Sequence, residues 1–180
     1  MKKRNIFIIG FILFLASCVR TPPKEAIPET ITSFKAQVAD RAPALQGRMV
    51  VQPFRSGAGV PANPEMDQAS LMLVKSFTES VNQDPSQLTV ITDDSLSDAQ
   101  FFMKGYITQY EKASGLVDRW RKKKNIFAVE GKIIDLRSDR VVVSFSAAIH
   151  SSEELDLSQL ARKVGERVAA YVAGQDQELP

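Results

Sequence analysis

The chain has 180 residues, with 23 Lys and Arg, 21 Asp and Glu, one His and one Cys. Three of the basic residues, Lys2, Lys3 and Arg4, fall in the leader described below, so the remainder carries a slight acidic excess and nucleic acid is a poor candidate partner. A chain of this size supports one domain with its own core plus a tail, and two domains are not expected.

Residues 1–17 read as an export signal: the three basic groups precede an uncharged, mostly apolar run from Asn5 to Ala16. The run closes on Leu15-Ala16-Ser17-Cys18, which matches the bacterial lipobox, in which small residues admit the signal peptidase and the cysteine thiol accepts the lipid. The alternative is a retained signal anchor, but Ile6 to Val19 supplies only about 14 residues where about 20 are needed to span a bilayer. Several palmitate-like acyl chains on Cys18 would anchor the protein stably, since each buried methylene contributes about 0.8 kcal/mol. With Cys18 consumed, no disulfide and no cysteine-based metal site is expected, and no cofactor is implied. Val19 follows the cysteine where Gram-negative lipoproteins retained in the inner membrane carry Asp, which implies sorting to the outer membrane, facing the periplasm. Residues 18–47 are read as the lipidated cysteine and a tether. Pro22, Pro23 and Pro28 favour an extended, solvated chain over residues 20–30, roughly 35 Å long at about 3.1 Å per residue.

The domain is expected over residues 48–174, followed by a short tail at 175–180. Met49 to Phe54 reads as a strand, with Pro53 suited to its end. After a loop containing Gly57 and Gly59, Asn63 caps a helix that begins at Pro64 and runs to about Asn82, with Met66, Leu73, Phe77 and Val81 on one face. Leu88 to Thr92 is a second strand, and Asp94 to Gln100 a short helical piece. Three antiparallel strands then form a meander. In Phe101 to Tyr110, the residues Phe101, Met103, Gly105 and Ile107 share one face, and Phe102, Lys104, Tyr106, Thr108 and Tyr110 the other. About Ile126 to Leu136 places Phe127, Val129, Gly131 and Ile133 together. Val141 to Ile149 places Val141, Val143, Phe145, Ala147 and Ile149 together, after a polar turn at Arg137-Ser138-Asp139. Leu157, Leu160, Ala161, Val164, Val168, Tyr171 and Val172 recur at helical spacing, and Gly174 stands where a helix stops. The expected fold class is α/β (α+β): a two-layer sandwich with a mixed sheet and helices packed on it.

The element order, with the strand end Val51-Gln52-Pro53-Phe54, the run Asp98-Ala99-Gln100-Phe101-Phe102-Met103-Lys104-Gly105 and the strand end Ile133-Ile134-Asp135, resembles the TolB N-terminal-like α/β domain. Bacterial lipoproteins with that fold include penicillin-binding-protein activators, the curli secretion lipoprotein and flagellar outer-membrane lipoproteins. The resemblance covers roughly residues 48–173 and implies a protein that binds or assembles, with no catalytic motif attached.

Catalysis would need a nucleophile, a base and an orienter within reach of each other. His150 stands beside Ser151 and Ser152, yet neighbours on a strand point to opposite faces, so no catalytic residue is assigned. The cluster Asp93, Asp94, Ser95, Ser97 and Asp98 lacks the spacing of a calcium loop and reads as helix capping. The Gly57-Ala58-Gly59 loop lacks the G-K-[ST] of a phosphate-binding loop, and Pro61 and Pro64 remove backbone donors. The most unusual motif is Arg119-Trp120-Arg121-Lys122-Lys123-Lys124, between the first two meander strands. It reads either as a binding patch for anionic groups, with Trp120 at a lipid interface or stacked on a sugar, or as a charged hairpin that protects a sheet edge. A second candidate is the aromatic face of Phe102, Tyr106 and Tyr110, a docking surface if left open and ordinary core if residues 31–46 fold back with Ile31, Phe34, Val38 and Leu45 to cover it; core is preferred.

The expectation is a non-enzymatic outer-membrane lipoprotein whose periplasmic domain binds a cell-envelope protein partner, as an activator or assembly factor. The alternative is a transport-auxiliary lipoprotein that binds anionic lipid or glycan. A secretion-pore subunit ranks below both, because the charged 112–124 connection cannot supply membrane-spanning strands.

Overall fold

A computed structural model describes residues 30–39, 45–83, 87–91, 96–112, 125–151 and 155–173. In chain order the elements are β1 (Thr30–Val38), β2 (Gly47–Val51), β3 (Arg55–Ser56), α1 (Pro64–Asn82), β4 (Leu88–Ile91), a single 3-10 turn (Leu96–Asp98), β5 (Phe101–Glu111), β6 (Asn125–Asp135), β7 (Arg140–Ser151) and α2 (Leu157–Val172). The strands form one mixed sheet in the order β1-β7-β6-β5-β2-β4, and β3 takes up β5 beyond the end of β2. The two helices pack on it, an open α/β fold.

Each element follows from local chemistry. In α1, Asn63 Oδ1 accepts from the Met66 amide at 2.9 Å and Pro64 opens the helix, which satisfies one free amide and removes another. The apolar stripe of Met66, Leu73, Phe77 and Val81 is buried as the periodicity requires. α2 starts with a capping box, in which Asp156 Oδ1 accepts from the Gln159 amide at 2.7 Å and Gln159 Oε1 accepts from the Asp156 amide at 2.9 Å. The helices meet at Ser76, whose hydroxyl donates to Leu73 O at 3.0 Å and to Arg162 O at 3.1 Å across the contact. Gly165 makes that approach possible, because a methyl there would overlap the Ser76 hydroxyl and the Leu73 carbonyl.

β2, β4 and β5 run parallel, with α1 as the crossover, whereas β5, β6 and β7 form the expected antiparallel meander. Phe101, Met103, Ile107, Phe127, Val129, Ile133, Val143, Phe145, Ala147 and Ile149 are buried beneath the helices. Two β-bulges interrupt the alternation. In β7 the pairing steps from Ile133↔Val143 to Ile134↔Val141, which leaves Val142 as the extra residue. Val142 is therefore buried and Val141 is 38 % exposed, the reverse of the regular alternation read from the sequence. In β5 the pairing steps from Ile107↔Val129 to Gln109↔Ala128, and Thr108 is the extra residue.

The largest departure is β1. Residues 30–38, expected as tether, instead form a nine-residue edge strand paired antiparallel with β7 from Thr30↔Ser151 to Val38↔Val143. The segment alternates Phe34, Ala36 and Val38 against Ser33, Lys35 and Gln37, a strand period masked by the proline-rich stretch before it. Phe34 extends the core, with its ring centroid 6.1 Å from Phe145 and 4.7 Å from Tyr171. The helical piece expected from Asp94 to Gln100 is, within the described residues, only the 3-10 turn, tied to β2 by Arg48 and Asp98 at 3.6 Å.

Candidate functional site

With both helices on one side, the other face of the sheet carries the alternate residues of every strand. The register arranges them in rungs. One rung runs Lys104, Lys132, Ser144, Gln37, and the next runs Tyr106, Glu130, Ser146, Lys35. Arg55 in β3 continues the second rung on the far side of Tyr106. The rungs line a trough of about 530 Å³ that crosses four strands. Its floor is low at the centre, where Gly105 pairs with Gly131 and the hydroxyls of Ser144 and Ser146 follow. A hollow of about 130 Å³ adjoins it, lined by Gln52, Arg55, Lys104 and Tyr106.

Tyr106 stands 55 % exposed in the middle of this face. Phe102, two rungs away beyond Lys104, is half-buried, with the Lys104 ammonium 5.7 Å above its ring. Around Tyr106 are Arg55, Lys35, Lys104 and Lys132, with Glu130 the single acid of the two rungs. Among the described residues, none of Lys35, Arg55 and Lys132 has a carboxylate within ion-pair distance. Lys104 and Lys132 lie directly opposite each other, a like-charge cross-strand pair that costs the sheet stability.

The three aromatics expected to share a face do not. The Thr108 bulge turns Tyr110 to the other side, opposite Phe127, where it packs on the core. Burial raises its phenol pKa above the usual value, and the Glu65 carboxylate raises it further. Phe102 and Tyr106 remain on the open face. β1 does not fold over them as the expected cover; it adds to the sheet edge and widens the face with Lys35 and Gln37.

Arg119, Trp120, Arg121, Lys122, Lys123 and Lys124 lie outside the described residues, as do Cys18, Asp93, Asp94, Ser95, Ser152 and Gly174. His150 is half-buried on the open face, opposite Ile126, whereas Ser151 is fully buried beside Asn125 on the other. The register thus keeps the two side chains apart. Among the described residues no group of three His, Cys, Asp or Glu side chains gathers to hold a metal, and no helix is long and apolar enough to cross a membrane. Sequence reading missed Lys35, Arg55, Lys132, Ser144 and Ser146 as members of one surface, since they come from four strands; the alternation of charged residues with core residues in β5 and β6 was the available signal.

No protein-family model matches the chain, and no curated protein matches it in sequence. Solved structures superpose on it. PelC from Paraburkholderia phytofirmans, solved as a dodecamer, superposes with a TM-score of 0.55 at 13% identity, over 79% of this chain and 98% of PelC. A point variant of the same dodecamer gives 0.52 at 12% identity, over 79% and 98% of the two chains. A Xanthomonas campestris protein of family DUF330 gives 0.46 at 12% identity, covering 77% of this chain and 88% of its own. The likeness to PelC establishes a shared fold.

Proposed function

We propose that this chain is a non-enzymatic, lipid-anchored protein of the bacterial cell envelope that works by holding an envelope component on the open face of its sheet. The observation that carries the reading is the one-sided packing: both helices cover a single face, and the other presents a charged trough with Tyr106 exposed at its centre. The lipobox at Cys18 and the proline-bearing segment after it support attachment to a membrane, the outer membrane by the residue at position 19. The separation of His150 from Ser151 supports binding in place of catalysis. The activator and assembly lipoproteins that the sequence resembles are binding or assembling proteins, which supports the same kind of role.

Site-specific photo-cross-linking in cells tests it. A photoreactive phenylalanine analogue at position 106 is expected to give a discrete adduct, and the same analogue in place of exposed Glu79 on α1 is expected to give none. Adducts from α1 alone, or from neither position, would overturn the assignment of the face.

Self-association is a second reading, favoured by one observation. β1 is a nine-residue edge strand whose outer side has no partner strand among the described residues, and such an edge can pair with another chain. PelC, with the same fold, was solved as a dodecamer. Light scattering of the purified lipoprotein would return a multiple of the monomer mass if this holds and the monomer mass if it does not.

A further inference from the structure

We infer that the trough on the open face binds an acidic oligosaccharide, a chain of sugar rings bearing carboxylates, laid across strands β5, β6, β7 and β1. The inference rests on the proposed binding role of this face and names its ligand class.

Charge sets the sign of the ligand. Lys35, Lys104 and Lys132 line the trough, with Arg55 in the adjoining hollow, against the single carboxylate of Glu130. The opposed pair Lys104 and Lys132 is the most telling feature, because two ammonium groups at one cross-strand position repel and no acid among the described residues neutralises Lys132. An anion seated between them converts that repulsion into two charge-assisted contacts. Shape and lining set the ligand type. The trough crosses three inter-strand steps of about 4.8 Å each, roughly 14 Å in all, the reach of a short oligosaccharide. Among its lining side chains, Ser144, Ser146 and Gln37 are able to bond sugar hydroxyls and Glu130 is able to accept from them. Tyr106 supplies the flat ring on which a sugar face rests. A folded acidic protein fits less well. Protein interfaces concentrate their energy in buried aromatic and apolar anchors, and here Phe102 is half-buried under Lys104, which leaves Tyr106 as the one well-exposed aromatic of the trough.

The test uses the purified full-length lipoprotein in detergent and three probes: an oligogalacturonate, a neutral oligosaccharide of equal length, and oligoglutamate of equal charge. Calorimetry is expected to detect the oligogalacturonate, with no binding of the neutral sugar and much weaker binding of the peptide. Tyr106→Ala and Lys132→Glu should each weaken binding by about tenfold or more, the loss expected when one charged or stacking anchor is removed. Changing Arg121, Lys122 and Lys123 to Glu should leave it within about twofold, which separates the trough from the basic segment elsewhere in the chain. Equal binding of oligoglutamate, or binding indifferent to Tyr106→Ala, would overturn the sugar assignment. No binding of any probe would also overturn it, while a protein adduct from position 106 in cells would still stand as evidence that the face binds. If Lys132→Glu disturbs folding, Lys132→Gln removes the charge with less change, and a circular dichroism spectrum matching the parent qualifies the variant.

Discussion

Phe145 in β7 lays its ring across Gly131, its register partner in β6, so closely that a methyl group at Gly131 would overlap the ring. Gly105 is paired with Gly131 and stands in the same relation to Phe54, whose ring centroid lies 6.4 Å from that of Phe145. Two adjacent glycines thus let two aromatic rings sink onto the helix side of the sheet.

Gly131→Ala should therefore destabilise the domain by about 1–3 kcal/mol, as overpacking of a filled core does. Phe145→Ala, which removes a ring only 4 % exposed, should cost about 3–5 kcal/mol. Combining Gly131→Ala with Phe145→Leu should cost less than the sum, because the smaller side chain makes room for the methyl. Urea denaturation of the single and double variants measures this. Strict additivity would show that the ring does not rest on Gly131.

Asn82, the last residue of α1, acts as a substitute strand for the edge of the sheet. Its Nδ2 donates to Val90 O at 3.0 Å and its Oδ1 accepts from the Val90 amide at 2.8 Å, so one side chain satisfies both backbone groups of a residue in β4. Asn82→Ala is expected to cost about 1–2 kcal/mol, the worth of two ordinary hydrogen bonds. Hydrogen exchange at the Val90 amide should accelerate by more than exchange at amides of β6. Equal acceleration across the sheet would mean that the variant lowers global stability without a local role at the edge.

The parts legible in the sequence were those whose side chains report their own period. The Asn63 cap, the span of α1, the buried face of β5 and the stripe of α2 each have several residues repeating one signal. The bulges were not legible. A bulge inserts one residue without any required type, and Thr108 and Val142 are ordinary strand residues, yet each reverses the alternation beyond it and so reassigns Tyr110 and Val141. β1 was hidden for another reason: its partner β7 lies more than a hundred residues along the chain, and the proline-rich stretch before it made its short alternation read as part of a tether. Phe102 and Tyr106 were visible as a candidate surface, but the cations around them come together only through the register.

Cys18→Ala should abolish lipidation, since the thiol is the acyl acceptor, and leave the precursor unprocessed in the cell. Labelling with a fatty-acid analogue followed by gel fluorescence measures the outcome. Equal labelling of the variant and the parent would end the lipoprotein reading and with it the placement in the envelope.

The position of Tyr110 after the bulge makes a prediction about alkaline stability. Its folded-state pKa is raised, first by burial and second by the nearby Glu65 carboxylate, whereas in the unfolded chain it titrates near the ordinary tyrosine value of about 10. As pH rises past about 10, the unfolded state loses the proton before the folded state does, so the unfolded state holds fewer protons and stability falls with pH. The contribution is fully present below the unfolded pKa and is lost as pH rises through the folded one. Tyr110→Phe keeps the ring and removes the titration, so its urea midpoint should decline less steeply than that of the parent between about pH 9 and about pH 11. Tyr171 is also raised by burial and still titrates in that variant, so the slope should shrink without vanishing. Glu65→Gln should give an intermediate slope, because it removes the second cause and leaves the first. If the parent and Tyr110→Phe decline in parallel, Tyr110 is not held against the core, and the Thr108 bulge does not turn it away from Phe102 and Tyr106.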